Sequence, residues 1–279
     1  MSAADPAAND PTYALGRSDD EHQRLQQQAA LFRPLTERFF RAAGLRDGMR
    51  VLDVGSGSGD VAFLVAELVG PTGQVVGVDM DGRALATARS RAERLGLGHV
   101  TFVEGDARTL DLGAEFDAAV GRLVLLYLAH PAEGLAAIAA RVRRGGIVAF
   151  QEMDMDPDAP ARTYPPVDAL WNQTGRAIVQ TFACAGVHVR MGPMLPRAFV
   201  DAGLPAPALM HECAVGGGPA FPGYGWITNT LRSLQPLATK FGVEAPAVDG
   251  LAERLRDEAV AQQLMVWSPP LVGAFATKS

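Results

Sequence analysis

A chain of 279 residues that is 48% hydrophobic carries enough apolar side chain for one large core, and no apolar run approaches the ~20 residues of a membrane-spanning helix. A formal net charge of −6, with both signs spread along the chain, gains nothing from a phosphate backbone and argues against a nucleic-acid partner. The two cysteines, Cys184 and Cys213, lack C-x-x-C spacing, which excludes a disulfide framework and a cysteine zinc motif and fits a reduced, cytoplasmic protein.

Residues 1–17, rich in Ala, Asp, Asn and Pro, read as a flexible leader without the basic start and apolar stretch of a signal peptide. Ser18 and Glu21 fit a capping box that opens a helix to Phe32, and Pro34 starts a second helix ending near Gly44. From Met49 the pattern alternates. Strands are expected at 50–54, 74–78, 100–103, 116–120 and 147–150. Helices are expected at 61–69, 84–95 and 132–142. This βαβ rhythm predicts an α/β fold with a parallel sheet and right-handed crossovers. Residues 152–166, rich in acids and prolines, read as a long loop. Helices follow at 167–182, 196–202, 224–241 and 248–264, with strands at 209–215 and 271–276. The organisation is one domain over 18–279. Residues 18–44 form N-terminal lid helices, and 152–206 and 216–265 are insertions on the side of a second substrate.

The chemistry concentrates in Asp53-Val54-Gly55-Ser56-Gly57-Ser58-Gly59, between a strand and a helix. Glycines there permit a tight turn and close approach of a ligand to the backbone. Asp79 ends the next strand, 20 residues after Gly59, where a carboxylate can accept from ribose hydroxyls. The spacing departs from the dinucleotide pattern G-x-G-x-x-G, with Asp60 where that pattern wants glycine. A carboxylate beside a pyrophosphate would be repelled, whereas one beside an ammonium is favourable. S-adenosylmethionine offers ribose, adenine and an ammonium group without phosphate, so the loop favours it over NAD.

The loop resembles the first motif, D-x-G-x-G-x-G, of the class I S-adenosylmethionine-dependent methyltransferases. Val76 to Asp81, Glu104 to Ala107 and Phe116 to Leu123 are similar to their later strand motifs. Arg144-Gly145-Gly146 resembles their L-x-P-G-G turn without its proline, and Pro270 to Lys278 resembles their antiparallel last strand. The resemblance implies a Rossmann-like seven-stranded sheet of order 3-2-1-4-5-7-6 with a helical lid. It implies S-adenosyl-L-methionine over the carboxyl ends of the first strands. Asp53, Gly55, Ser56, Gly57 and Gly59 would line its methionine part and Asp79 its ribose. Met80, Asp106 and Ala107 would take the adenine, and Gly121 and Arg122 would face the methionine end. Tyr13 joins the set of expected cofactor residues.

Methyl transfer brings an acceptor lone pair to within about 3–3.5 Å of the activated carbon, and a hydroxyl acceptor gains from a general base. Glu152 and His188 are the expected catalytic residues, with Asp154, His22, Tyr13 and Tyr164 as weaker candidates. The acids Glu152, Asp154, Asp156 and Asp158 raise the idea of a Mg²⁺ site, but Pro157 and Pro160 make the segment a loop and no metal is expected. Gly121-Arg122-Leu123-Val124 stands where base methylases carry N/D-P-P-Y. The aromatic-rich second half, with Tyr164, Trp171, Phe182, Met191, Met194, Phe199, Phe221, Tyr224, Trp226 and Trp267, points to a small, mainly apolar or aromatic acceptor. Oxygen methylation in secondary metabolism by a monomer or homodimer is the expectation. Carbon or nitrogen methylation, a sulfonium-assisted cyclisation and a non-catalytic binding module are the alternatives.

Overall fold

The computed structural model describes residues 19–279 other than Ala114 and Pro160, with side chains of the first helix described at Gln28 and from Leu31 onward. The leader, Tyr13, the Ser18–Glu21 capping box and the His22 side chain lie outside the described residues.

The described residues open with one helix, α1 (Asp19–Ala43), where two were expected. Pro34 lies inside it although an internal proline removes a backbone donor and crowds the preceding turn, at a cost of ~3 kcal/mol. The reason is burial on both sides of Pro34: Leu31, Phe32, Leu35, Thr36, Phe39 and Phe40 are all buried and form one continuous face. The alternating region follows as β1 (Arg50–Val54), α2 (Asp60–Val69), β2 (Gln74–Asp79), α3 (Gly82–Leu95), β3 (Val100–Glu104), β4 (Phe116–Arg122), a 3₁₀ turn (Leu125–Tyr127), α4 (Pro131–Ala140) and β5 (Val142–Met153). β5 runs 12 residues, far past the expected four. Arg143-Arg144-Gly145-Gly146 lacks apolar alternation and reads as a turn, yet Val142 pairs with Phe116 and the register then shifts before Ile147 pairs with Ala118.

The second half comprises β6 (Thr163–Tyr164), α5 (Leu170–Cys184), α6 (Met191–Asp201), β7 (Ala208–Glu212), β8 (Val215–Gly216), α7 (Gly223–Phe241), α8 (Leu251–Ala261), β9 (Met265–Trp267) and β10 (Leu271–Thr277). The main sheet has the order β3-β2-β1-β4-β5-β10-β7, with β10 antiparallel to both neighbours. This is the expected 3-2-1-4-5-7-6 arrangement. The small second sheet, β6-β9-β8, was not expected, because strands of two or three residues leave no periodicity to read.

Alternation along the strands separates two cores. Val51, Val75, Ala118, Val120, Ile147 and Ala149 pack with Phe39 and Phe40 of α1 and with α2 and α3. Leu52, Val54, Val78, Ala119, Val148 and Phe150 belong to the opposite core, with α4, α6 and the α5, α7, α8 group. α1 joins that group through α7, where Phe32 meets Trp226 edge to face at 5.2 Å between centroids. No described helix is long and apolar enough to cross a membrane.

Candidate active site

A cavity of about 1020 Å³ opens over the carboxyl ends of β1, β2 and β4 and extends under α5 and α7. Parallel sheets place ligands there because strand ends and helix starts converge on the crevice. At one end the loop after β1 turns through Gly55 (φ +66°), Gly57 (φ +50°) and Gly59 (φ +90°), left-handed values that favour glycine. A Cβ on Gly55 would sit 2.6 Å from Val124 Cγ2, whereas one on Gly57 would meet nothing within 4 Å. Gly55 is thus needed for packing, and Gly57 keeps open the space before the cavity.

Three carboxylates organise this end, each differently. Asp79 accepts from Gly57 N at 2.8 Å on Oδ2 and from Asp81 N at 2.8 Å on Oδ1, so it ties the glycine loop to the end of β2. Burial raises its pKa, opposed by those N–H groups. Asp53 is completely buried, and neither oxygen meets a donor at hydrogen-bonding geometry. Burial pushes its pKa well up, countered chiefly by the Arg122 charge and more weakly by the Ala62 N–H of α2. Asp106 is held by Arg108, with Arg108 N and Nε both 2.9 Å from Oδ1 and Nη2 2.8 Å from Oδ2.

Of the expected cofactor residues, Gly55, Ser56, Gly57, Asp79, Met80, Asp106, Ala107 and Arg122 line the cavity. Met80 is 57% exposed, which for a large apolar side chain at a cavity mouth suits packing against a flat ring. Asp53, Gly59 and Gly121 are not among the lining residues and lie behind them. A Cβ on Gly59 would strike Phe63, and one on Gly121 would strike Phe150, so both are needed for close packing. Arg122 Nη1 donates to Thr36 Oγ1 at 3.1 Å, and Thr36 donates to Gln151 Oε1 at 2.8 Å, which links the cavity wall to α1.

The expected catalytic pair is not brought to the cavity. Glu152 is fully buried and is not a lining residue; its Oε1 accepts from Val124 N at 3.0 Å and Leu125 N at 2.8 Å. Burial raises its pKa to about 8 against the opposing pull of the Val124, Leu125 and Leu126 N–H groups, which favours the protonated form. The placement of Glu152 has a physical cause. β5 runs on to Met153, and strand alternation turns Glu152 beneath the turn after β4. His188 is half-buried, its backbone N donates to Leu126 O at 2.9 Å, and it too is absent from the cavity wall. Asp154 and Asp156 pair with Arg190 at 2.8 and 3.1 Å. Tyr164 is 66% exposed and lies off the cavity.

Within the acceptor half, Trp171, Phe182, Trp226 and Trp267 line the cavity, with Leu126, Met153, Met155, Ile178 and Val179. Of the other aromatics and methionines expected there, Met191, Phe199 and Tyr224 are core residues. Phe221 packs against Trp171 and Tyr224, and Met194 is exposed. Arg108, Tyr127, Arg162 and Arg176 line the cavity without having been anticipated. For Arg108 a signal existed, since it stands two residues beyond Asp106. Arg162 is brought in by β6, which has no sequence signature.

This arrangement fits the ligand expected from the glycine loop. It combines a ribose-spaced carboxylate, an apolar ledge at Met80, an acid beside Ala107, and a buried carboxyl whose oxygens lack donors. A family profile described as a methyltransferase domain matches residues 45–185, half of the chain. The chain belongs to the S-adenosylmethionine-dependent methyltransferases. This methyltransferase is 36% identical over 115 residues to the ubiquinone/menaquinone biosynthesis C-methyltransferase UbiE of Pseudomonas fluorescens, a match covering 40% of the chain and 45% of that protein. It is 42% identical over 92 residues to the arsenite methyltransferase of Aquipseudomonas alcaligenes, covering 30% of the chain and 27% of that protein. The chain thus spans less than half the length of these curated relatives. Among solved structures, the geranyl diphosphate C-methyltransferase of Streptomyces coelicolor A3(2) superposes with a TM-score of 0.54 over 96% of this chain and 88% of that one, at 15% identity. The [4+2]-cyclase SpnF superposes with a TM-score of 0.50 over 87% and 81%, at 22% identity. Both superpositions establish the shared fold.

Proposed function

We propose that this methyltransferase methylates the oxygen of a small, mainly apolar or aromatic acceptor, a phenol or enol of secondary metabolism. The carrying observation is the acceptor half of the cavity, where all three tryptophans of the chain converge. Flat apolar walls bind flat apolar ligands through buried area and ring stacking. No histidine or cysteine is among the described lining residues, and Glu152 lies behind the wall. An acceptor whose own hydroxyl is acidic needs little help from a protein base, and a phenolate carries its charge mainly on oxygen.

When bound, S-adenosylmethionine supplies an electrophilic methyl carbon on a sulfonium. The chain's residues would hold it as follows: Asp79 accepts from the ribose hydroxyls, Met80 packs on adenine, and Asp106 and Ala107 meet the ring edge. Ser56, Gly57 and Arg122 would hold the methionine end, with the Asp53 carboxyl behind them. The segments 18–44, 152–206 and 216–265 act as a lid that excludes water.

Carbon methylation is the second reading. The curated relative that is 36% identical carries that name, and phenolates and enolates are nucleophilic at carbon as well as oxygen. The test is incubation of the full chain with S-adenosylmethionine and a panel of phenols and enols. A product heavier by about one CH₂ group is expected, with one S-adenosylhomocysteine per product. Product NMR then assigns O- or C-methyl. Conversion without S-adenosylhomocysteine would instead show a sulfonium-assisted rearrangement. Tight binding without turnover on any acceptor would sink the enzymatic reading.

A further inference from the structure

The charged residues that line the cavity beyond Met153 are Asp156, Arg162, Asp168 and Arg176. Three of them are already matched. Asp156 Oδ2 pairs with Arg190 Nη1 at 3.1 Å, and Asp168 Oδ1 with Arg176 Nη2 at 2.6 Å. Arg162 makes no ion pair among the described residues. Its side chain makes one hydrogen bond, from Nη2 to the Asp154 backbone O at 3.3 Å. The Asp154 carboxylate itself is matched by Arg190 Nε at 2.8 Å.

Arg162 is held in place from its backbone. Its N donates to Asn172 Oδ1 at 2.7 Å, and its O accepts from Trp267 N at 3.2 Å. Asn172 is fully committed, since its Nδ2 donates to Thr163 Oγ1 at 3.1 Å and Val167 O at 2.9 Å. Burial of the guanidinium lowers its pKa against the pull of Asp154 and Asp156. Half-buried at the cavity wall, with a single side-chain hydrogen bond and no ion pair of its own among the described residues, the guanidinium keeps N–H groups available to an anion.

We infer that the acceptor carries a carboxylate, and that Arg162 binds it and sets specificity for anionic aromatic acceptors. This rests on the proposed small-molecule reading of the cavity and deepens it. The planar N–H fork matches a carboxylate with two parallel bonds, a geometry neither an amide nor a lysine ammonium reproduces.

The test uses the full chain saturated with S-adenosylhomocysteine and two probes of one shape, 6-hydroxy-2-naphthoate and 6-hydroxy-2-naphthamide, titrated by calorimetry. Wild type should bind the naphthoate at least ~10-fold tighter than the amide, the order expected for a charge-assisted pair. Arg162→Met should erase that preference by weakening the naphthoate alone, and Arg162→Lys should restore only part of it. Unchanged S-adenosylhomocysteine affinity in both variants shows that they fold. Equal binding of the two probes by wild type, or a preference that survives in Arg162→Met, overturns the inference while the aromatic reading of the cavity stands. Failure of both probes to bind overturns the two together.

Discussion

Asp79, half-buried at the cavity wall, and Glu152, fully buried, both have a raised pKa, yet their neighbours assign them different work. Asp79 lines the cavity and accepts one backbone N–H on each oxygen, which leaves further lone pairs for ligand hydroxyls. Asp79→Ala should weaken S-adenosylhomocysteine binding by about 10–100-fold by calorimetry, since hydrogen bonds to a charged group contribute about 1.5–3 kcal/mol. Glu152 instead supports the turn after β4, whose Val124, Leu126 and Tyr127 form cavity wall. Leu123 at the head of that turn has φ +59°, a costly conformation for a leucine that its surroundings must hold. Glutamine presents the same carbonyl to Val124 and Leu125, so Glu152→Gln should keep kcat within about threefold. Glu152→Ala leaves buried N–H groups without acceptors, at about 1–3 kcal/mol each, and should lower kcat/KM by tenfold or more. Loss of turnover in Glu152→Gln with normal cofactor affinity would return Glu152 to the role of general base.

Among the elements, the loop from β1 to α2 shows how one glycine can serve packing and the next the ligand. Gly55 and Gly57 both have positive φ, so alanine at either costs roughly 1–2 kcal/mol of backbone strain. Only Gly55 also abuts Val124, where an added Cβ would overlap at 2.6 Å. Gly55→Ala should therefore lower both Tm and cofactor affinity, with a loss of Tm clearly larger than for Gly57→Ala. Gly57→Ala should lose affinity out of proportion to its modest loss of Tm. Thermal melts paired with S-adenosylhomocysteine titrations separate the two. Similar stability losses in both would mean that the Val124 contact relaxes without cost. α1 carries a related lesson. Its proline reads as a break, because local propensity cannot register a buried face that continues from Leu31 to Phe40.

At the scale of the whole molecule, buried carboxyls contribute to the dependence of stability on pH. Glu152 titrates near 8 when folded against an ordinary value of 4.5, so the folded chain binds that proton more tightly than the unfolded chain. Its contribution is fully present below pH 4.5, falls as pH rises, and is lost above about 8. Asp53, also raised by burial, acts in the same direction. The Tm of Glu152→Gln relative to wild type should rise between pH 5 and pH 8, the Asp53 contribution cancelling in the comparison. A constant difference across that range would show that Glu152 is ionised, or paired, in the folded protein.

The strand order and the cavity positions of Met80, Asp106 and Arg122 were implied by the resemblance to the methyltransferases, while the sequence by itself determined the strand–helix alternation, the glycine loop and the ribose-spaced Asp79. Those features are local, because strand–turn–helix units place ligand groups at fixed spacing from their own strand. Tertiary structure alone decided the acceptor half. Trp267 reaches the cavity at the end of a three-residue strand and Arg162 just ahead of a two-residue one, both too short to show a period, and Glu152 and His188 stay off it. Their positions depend on which distant segments pack together, and burial among residues far apart in the chain has no signature in any short stretch of it.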